Sequence, residues 1–247
     1  LLNISVFQQP ARVTIIMRLA LRNLSRHRKR TAIALSTICF GVVALLLAGG
    51  FIEWIFWAMR ESTIQSLLGH IQVTKPSYFE AGSADPYGFL LPENLSDKLK
   101  LGEIQEIRVV SPRLAFTGLI SHEDVTIGFI GEGVDPDKDA EISKYLIIAE
   151  GEGLNSADPD GLFIGRGLAR NLGITIGDTV AILATTSSGG INGVEGTVLG
   201  LFQSASKEFD DSALRMPINL ARELLRAPGA HSLVLLLEQT EQTENVL

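Results

Sequence analysis

The sequence predicts an α+β membrane protein. One N-terminal transmembrane helix with a stalk leads into an extracytoplasmic domain, where two strand–helix–strand units bracket a β-rich insert. Three observations predict it. Thr31 to Ile52 is a run of twenty-two residues without a charge, mostly Leu, Ile, Val, Phe and Ala. Residues 1–30 hold Arg12, Arg18, Arg22, Arg26, Arg28, Lys29 and Arg30, and no Asp or Glu. Beyond Met59 the apolar residues come in short, β-branched runs parted by Gly, Pro and polar turns, with brief helical stretches between them.

The apolar run is long enough to cross a bilayer core of about 30 Å. Trp54, Phe56 and Trp57 follow it, rings suited to the far interface. Positive charge beside a span stays inside, which puts the N-terminus in the cytoplasm and everything after Met59 outside. A cleavable signal peptide is the first alternative; its apolar core is usually shorter. A buried core helix is the second, and such helices are seldom so uniformly apolar. Glu53 sits at the outer edge, within reach of water.

Composition bounds the rest. Of 21 Lys+Arg, seven lie in the leader, so residues 31–247 carry 14 against all 28 Asp+Glu, a net −14. An acidic outer domain argues against a nucleic-acid partner. The one cysteine, Cys39, lies in the span, so no disulfide forms within the outer domain. The first residue is Leu, which reads as an omitted true start.

In order along the chain, Ile15, Ile16, Leu19, Ala20 and Leu24 share a helical face up to Arg26. Arg18, Arg22 and Arg26 recur on another, as in a helix lying on the inner membrane surface. Met59 to Leu68 continues the spanning helix as a stalk, and Gly69 ends it. Arg60, Thr63, Ile64 and Leu67 are its coupling candidates. His70–Thr74 reads as a strand, 76–91 as a loop, Pro92–Leu99 as a helix and Ile107–Val110 as a strand. Leu114–Ser121 and Val125–Ile130 flank a hairpin turn, His122-Glu123-Asp124. Residues 131–160 read as loop-rich and acidic.

Leu162–Gly165 then leads into a helix, Arg166–Leu172, stopped by Gly173. Gly177-Asp178 turns into a strand, Thr179–Leu183. A Ser/Gly loop, Thr185–Gly193, precedes strand Gly196–Phe202. Last come strand Leu214–Ile218, a helix capped by Asn219, running to about Arg226 and ended near Gly229, and strand Ser232–Glu238.

Catalytic patterns are weak. His27, His70, His122 and His231 have no His or Cys at metal-ligand spacing. Asp210-Asp211 reads as a surface loop, since adjacent carboxylates rarely face each other. Gly165-Arg166-Gly167 opens like a dinucleotide fingerprint, but Arg170 replaces its third glycine. There is no phosphate-binding loop, so ATP used with this chain binds another polypeptide.

The run Leu162-Phe163-Ile164-Gly165, Leu168-Ala169, Leu172-Gly173 and Gly177-Asp178-Thr179-Val180 resembles a hallmark of the MacB/FtsX-like ABC transporter permeases, in their periplasmic core domain. That type VII ABC superfamily includes the LolC/LolE-like lipoprotein-releasing permeases. Leu19-Ala20-Leu21-Arg22-Asn23-Leu24 before the basic cluster, Gly69-His70-Ile71-Gln72-Val73 past the span and Arg215-Met216-Pro217-Ile218 are similar as well. The likeness covers nearly the whole chain, and its specificity lies in the order of these motifs.

The resemblance implies a plan. Residues 1–30 are a cytoplasmic, amphipathic basic segment, 31–59 the span and 60–69 the stalk. Residues 70–112 and 212–240 form a porter-like βαβ subdomain, 113–211 a sabre-like β-rich subdomain, and 241–247 turn back toward a second span. Arg18, Arg22, Arg26, Arg28, Lys29, Arg30, Trp54 and Trp57 then lie at the bacterial inner-membrane interfaces, with the main domain periplasmic. Three later spans and a cytoplasmic coupling helix lie beyond Leu247. The chain is no enzyme and holds no cofactor, with ATP and Mg bound by a partner ABC ATPase.

The other implied partners are a second permease copy or paralogue, membrane lipid and a periplasmic protein. ATP hydrolysis inside drives movement outside, called mechanotransmission, and the substrate is a lipoprotein, lipid, peptide or drug. The Thr185–Gly193 loop is shorter than the hook with which LolC-type permeases hold their carrier. Two other functions fit the residues: a single-span sensor with an outer ligand-binding domain, and an extracytoplasmic enzyme.

Overall fold

In a computed structural model of the chain, residues 9–82, 84–204 and 206–246 are described, and the chain divides after Met59 into two compact units. Helix α1 (Gln9–Arg26) carries Pro10 in its first turn, where the missing N–H has no intrahelical partner to lose. After a turn at His27, α2 runs Arg28–Thr63. At 1.5 Å per residue its 36 residues span about 54 Å, more than a bilayer core. None of its described side chains is buried by protein. Thr37 Oγ1 donates to the Ile33 carbonyl at 2.9 Å, which satisfies the hydroxyl inside the helix itself.

The second unit is mixed. β1 (Ile71–Thr74) is followed by two single turns of helix, α3 (Tyr78–Ala81) and α4 (Leu95–Lys98). A hairpin follows, β2 (Ile107–His122) and β3 (Val125–Val134), with Glu123 left-handed in its turn. Then come α5 (Pro136–Ile142), β4 (Ile147–Gly151), β5 (Gly161–Gly165), α6 (Arg166–Leu172), β6 (Thr179–Thr185) and β7 (Ile191–Gln203). The chain continues through α7 (Lys207–Asp210), β8 (Ala213–Pro217), α8 (Ile218–Leu225), β9 (Ser232–Leu237) and α9 (Thr243–Val246).

The strands are ordered β1-β9-β2-β3-β8-β5-β7-β4, and β6 joins β2 to β7. Pairing therefore closes a ring through β2, β3, β8, β5, β7 and β6, with β9 and β1 extending it from the first half of β2. Leu114, Ile120, Leu162, Ile164, Ile182 and Met216 share the main core with the apolar faces of α6 and α8. A second core joins Leu233, Leu235 and Leu237 of β9 to Leu91, Leu101 and Ile107. Both strand–helix–strand units are present, each with other strands between its own two. β9 separates β1 from β2, and β2 and β3 separate β8 from β9.

Several readings are corrected. β2 is one strand where two were read. Pro112 fits within it because pairing to β3 starts only at Arg113, so its missing N–H falls where only β9 is paired. The acidic stretch 131–160 contains the end of β3, α5 and β4. Asp135 and Pro136 start α5, the Asp135 carboxylate accepting from the Lys138 N–H.

Further along, β7 begins at Ile191, which shortens the Ser/Gly loop, and the 92–99 helix shrinks to Leu95–Lys98. Asn219 lies inside α8, whose N-cap is Pro217, and the helix stops at Leu225 with Arg226 as its C-cap, close to the bound read from sequence. Asp210 is no surface residue: it ends α7, is 6% exposed and accepts the Ser204 N–H at 2.9 and 3.1 Å. The helix at Arg166–Leu172, its left-handed Gly173 stop and the hairpin at Glu123 stand as read.

Candidate functional site: the base of the stalk

The sequence from Arg60 to His70 closes over a few residues. The α-helix gives way at Ile64 to one wide π turn, Ile64–Leu68, and the Gly69 N–H reaches back to the Ile64 carbonyl at 2.9 Å. Such turns often mark functional sites. The stalk is thus not uniformly α-helical, as its uninterrupted pattern suggested. Gly69 has φ +65, and a Cβ there would lie 2.4 Å from Val234 Cγ1, so only glycine makes this exit against β9.

Around the turn sits a directional hydrogen-bond chain. The His70 N–H donates to the Leu235 carbonyl at 2.9 Å. The Leu237 N–H donates to His70 Nδ1 at 3.1 Å, which leaves the imidazole proton on Nε2. Nε2 then donates to Thr240 Oγ1 at 3.0 Å, and Thr240 Oγ1 donates to Glu61 Oε2 at 3.2 Å. Gln65 Nε2 donates to the other Glu61 oxygen. Burial lowers the His70 pKa below the ordinary histidine value, against the pull of Glu61 and Glu241, so the neutral ring this chain needs is favoured.

The turn is also packed. Ile64 lies against Val109, Ile142, Val234 and Leu236. The Tyr145 N–H donates to the Gln65 carbonyl at 3.3 Å. These contacts tie the turn to β9 and α5. A buried ion network fixes α5 in turn. Arg113 donates to Glu132 at 2.9 Å and to Asp139 at 2.6 Å. Arg215 donates to Glu132 at 3.2 Å, to Asp139 at 3.1 Å and to Ser143 Oγ at 2.5 Å. Burial alone would raise the Asp139 carboxyl, but Arg215, Arg113 and the Ser143 hydroxyl hold it below the ordinary carboxylate range. Burial would likewise lower Arg113, and Glu132 and Asp139 raise it instead.

Of the candidates read from sequence, Ile64 is placed in this cluster of contacts. Arg60 and Thr63 are exposed on the last turns of α2, and the side chain of Leu67 lies outside the described residues. Arg18, Arg22 and Arg26 are on α1, Arg28, Lys29 and Arg30 open α2, and Trp54 and Trp57 lie near its far end. Phe51 stacks on Trp54 at 6.1 Å. Asp210 ends α7, with Asp211 as its C-cap, and His122 ends β2.

Sequence reasoning missed Glu61, Gln65 and Thr240, and also the four charges around α5. Arg215 carried a usable signal. It is a lone cation in Ala213–Pro217, a strand buried at every position.

A sequence model of the MacB-like periplasmic core domain matches residues 31–247. Among solved structures, the extracellular domain of YknZ, a noncanonic ABC-type transporter from Gram-positive bacteria, superposes with a TM-score of 0.51. It is 15% identical over 70% of this chain and 86% of that one. The periplasmic region of MacB from Actinobacillus actinomycetemcomitans gives a TM-score of 0.48 at 12% identity, over 64% and 71%. At such identity the likeness to the first is one of fold alone. No curated protein matches the chain.

Proposed function

The chain belongs to the family of MacB-like periplasmic core domains of ABC transporter permeases, and from that premise we propose that it is the mechanical half of an ATP-driven transporter. A separate ABC ATPase hydrolyses ATP in the cytoplasm, and a dimer of permeases carries the stroke across the inner membrane. The outer domain then moves or extracts a substrate such as a lipoprotein, lipid, peptide or drug. Its porter-like part comprises residues 70–112 and 212–240 and its sabre-like part residues 113–211, with β8 contributing to the ring of strands.

The observation that carries this reading is the base of the stalk. Arg60 to His70 enters the domain with no flexible linker, and its last turn is held by packing and by the Glu61–Thr240–His70 chain. A device that transmits a stroke needs such a connection.

Orientation is the first test. In a Cys39→Ser background, a cysteine placed at the exposed Ser188 is expected to react with an impermeant thiol reagent on outer-permeabilised cells. A cysteine at Ser5, outside the described residues, is expected not to react. The reverse pattern overturns the orientation and the transport mechanism with it.

A further inference from the structure

Strand β4 ends the sheet order. It pairs with β7 on one side, and among the described residues no strand pairs with the other. Open edges are usually blunted by Lys, Pro or a covering segment. β4 has neither Lys nor Pro, and Ile147 and Ile148 are 64% and 52% exposed. Beside it opens a cavity of about 210 Å³, lined by apolar Leu146, Ile148, Leu154 and Phe163, with exposed Ala140 and Lys144 also in its wall. That is room for one large apolar side chain. Along residues 144–160 the charges are Lys144 against Glu150, Glu152, Asp158 and Asp160. Glu150 has Arg166 at 4.0 Å, a pair more than half exposed on both sides, so it neutralises little.

We propose that the β4 edge captures an extended, basic and apolar segment of a partner protein as an added strand, with one large apolar side chain seated in the cavity. The edge dictates an extended occupant, because only a strand satisfies the row of outward backbone groups. The cavity selects one side chain, and the acidic surround selects the charge of the residues around it. Alternation along the added strand puts every second side chain on the cavity's face. The Tyr145 N–H contact to Gln65 places the start of this edge beside the last turn of the stalk, so a bound segment lies next to the joint.

The test uses the full chain in zwitterionic nanodiscs and a fluorescent octapeptide alternating Lys and Leu. Anisotropy is expected to show saturable binding, with amide exchange slowed at 147–151. Ala140→Phe, at an exposed position lining the cavity, and the pair Glu150→Lys with Glu152→Lys are each expected to weaken binding by at least about tenfold. A backbone N-methylated octapeptide and one alternating Glu and Leu are expected not to bind. Lipid partitioning of one peptide is the same for all chain variants and cancels between them; for each altered peptide it is subtracted with empty nanodiscs. Equal binding to the Ala140→Phe chain, or equal binding of the N-methylated peptide, overturns the proposal. So does concentration-dependent protection of 147–151 without peptide, which would make a second copy of this chain the occupant.

Discussion

Glu61 Oε2 accepts a hydrogen bond from Thr240 Oγ1 at 3.2 Å, across 179 positions of sequence. The stalk, the first residue of the domain and the segment after β9 thus share one polar chain. Its terminal acceptor is a carboxylate, and hydrogen bonds to charged groups contribute about 1.5–3 kcal/mol net. Thr240→Val is therefore expected to lower the free energy of opening around His70 by about 1–3 kcal/mol, read from amide exchange at Leu235 and Leu237. Glu61→Gln combined with Thr240→Val is expected to cost less than the sum of the two singles. Strict additivity would mean that the two side chains do not act together.

Two histidines give the domain a pH dependence. Burial lowers His70, and also lowers His231, whose Nδ1 accepts the Ala115 N–H at 3.1 Å and whose Nε2 reaches the Pro86 carbonyl at 3.0 Å. Tyr78 and Tyr87 pack against the His231 ring. Below an unfolded value of about 6.5 the unfolded chain binds more protons than the folded one, so stability rises with pH. It is full above about pH 6.5 and is lost as pH falls toward the folded values. Asp139, also lowered, adds its loss only at pH below about 4. A lower urea midpoint at about pH 5.5 than at about 7.5 is expected. It should shrink in a His70→Gln, His231→Gln chain, and identical midpoints in the unaltered protein would contradict the burial of these rings.

Local chemistry decided what was legible. The span shows in any window, because length and absence of charge are properties of adjacent residues. So do Arg166–Leu172 with its Gly173 stop and the Gly177–Asp178 turn. β2 was divided because Pro112 looks like a break until β9 and the late start of β3 are known. α5 was hidden by acidity, although Asp135-Pro136 is a helix start. The ion network joins β2, β3, α5 and β8, and no spacing in the sequence brings Arg113, Glu132, Asp139 and Arg215 together. The π turn at Ile64 is invisible because the pattern from Met59 to Leu68 is simply helical; what selects it is the packing of Ile64 and the Gly69 exit.

The network also predicts a structural loss. Asp139 is buried between two guanidinium groups, and breaking a buried pair by removing one partner costs about 3–5 kcal/mol. Residues 60–247 form one compact unit and are expected to unfold cooperatively when expressed alone. A fragment cut at 70–240 would lack Glu61, Ile64 and Val246, which pack or bond within it. Asp139→Asn in 60–247 is expected to lower the unfolding free energy by about 3–5 kcal/mol and to speed amide exchange first in α5 and at Gln65. A loss under about 1 kcal/mol would show that solvent reaches these charges.

The same geometry decides where to cut the stalk mechanically. Ile64 is half-buried and packs against the core, so replacing it mixes a hinge with a packing defect. Ser62 and Thr63 stand just before it on the last turn of α2, and Thr63 is exposed. Ser62→Gly with Thr63→Gly costs about 1 kcal/mol of helix stability per site and makes a local hinge between the span and the packed turn. Insertion and folding are expected to survive, since the apolar run and Ile64 are untouched. ATP hydrolysis by the proposed partner is expected to survive as well, because on that reading its site lies on another polypeptide. Substrate transport in vesicles reconstituted with the ATPase is expected to fall sharply, because a stroke that reaches a flexible link is absorbed there. Unchanged transport would leave the stalk a tether, and movement would then have to reach the domain by another route.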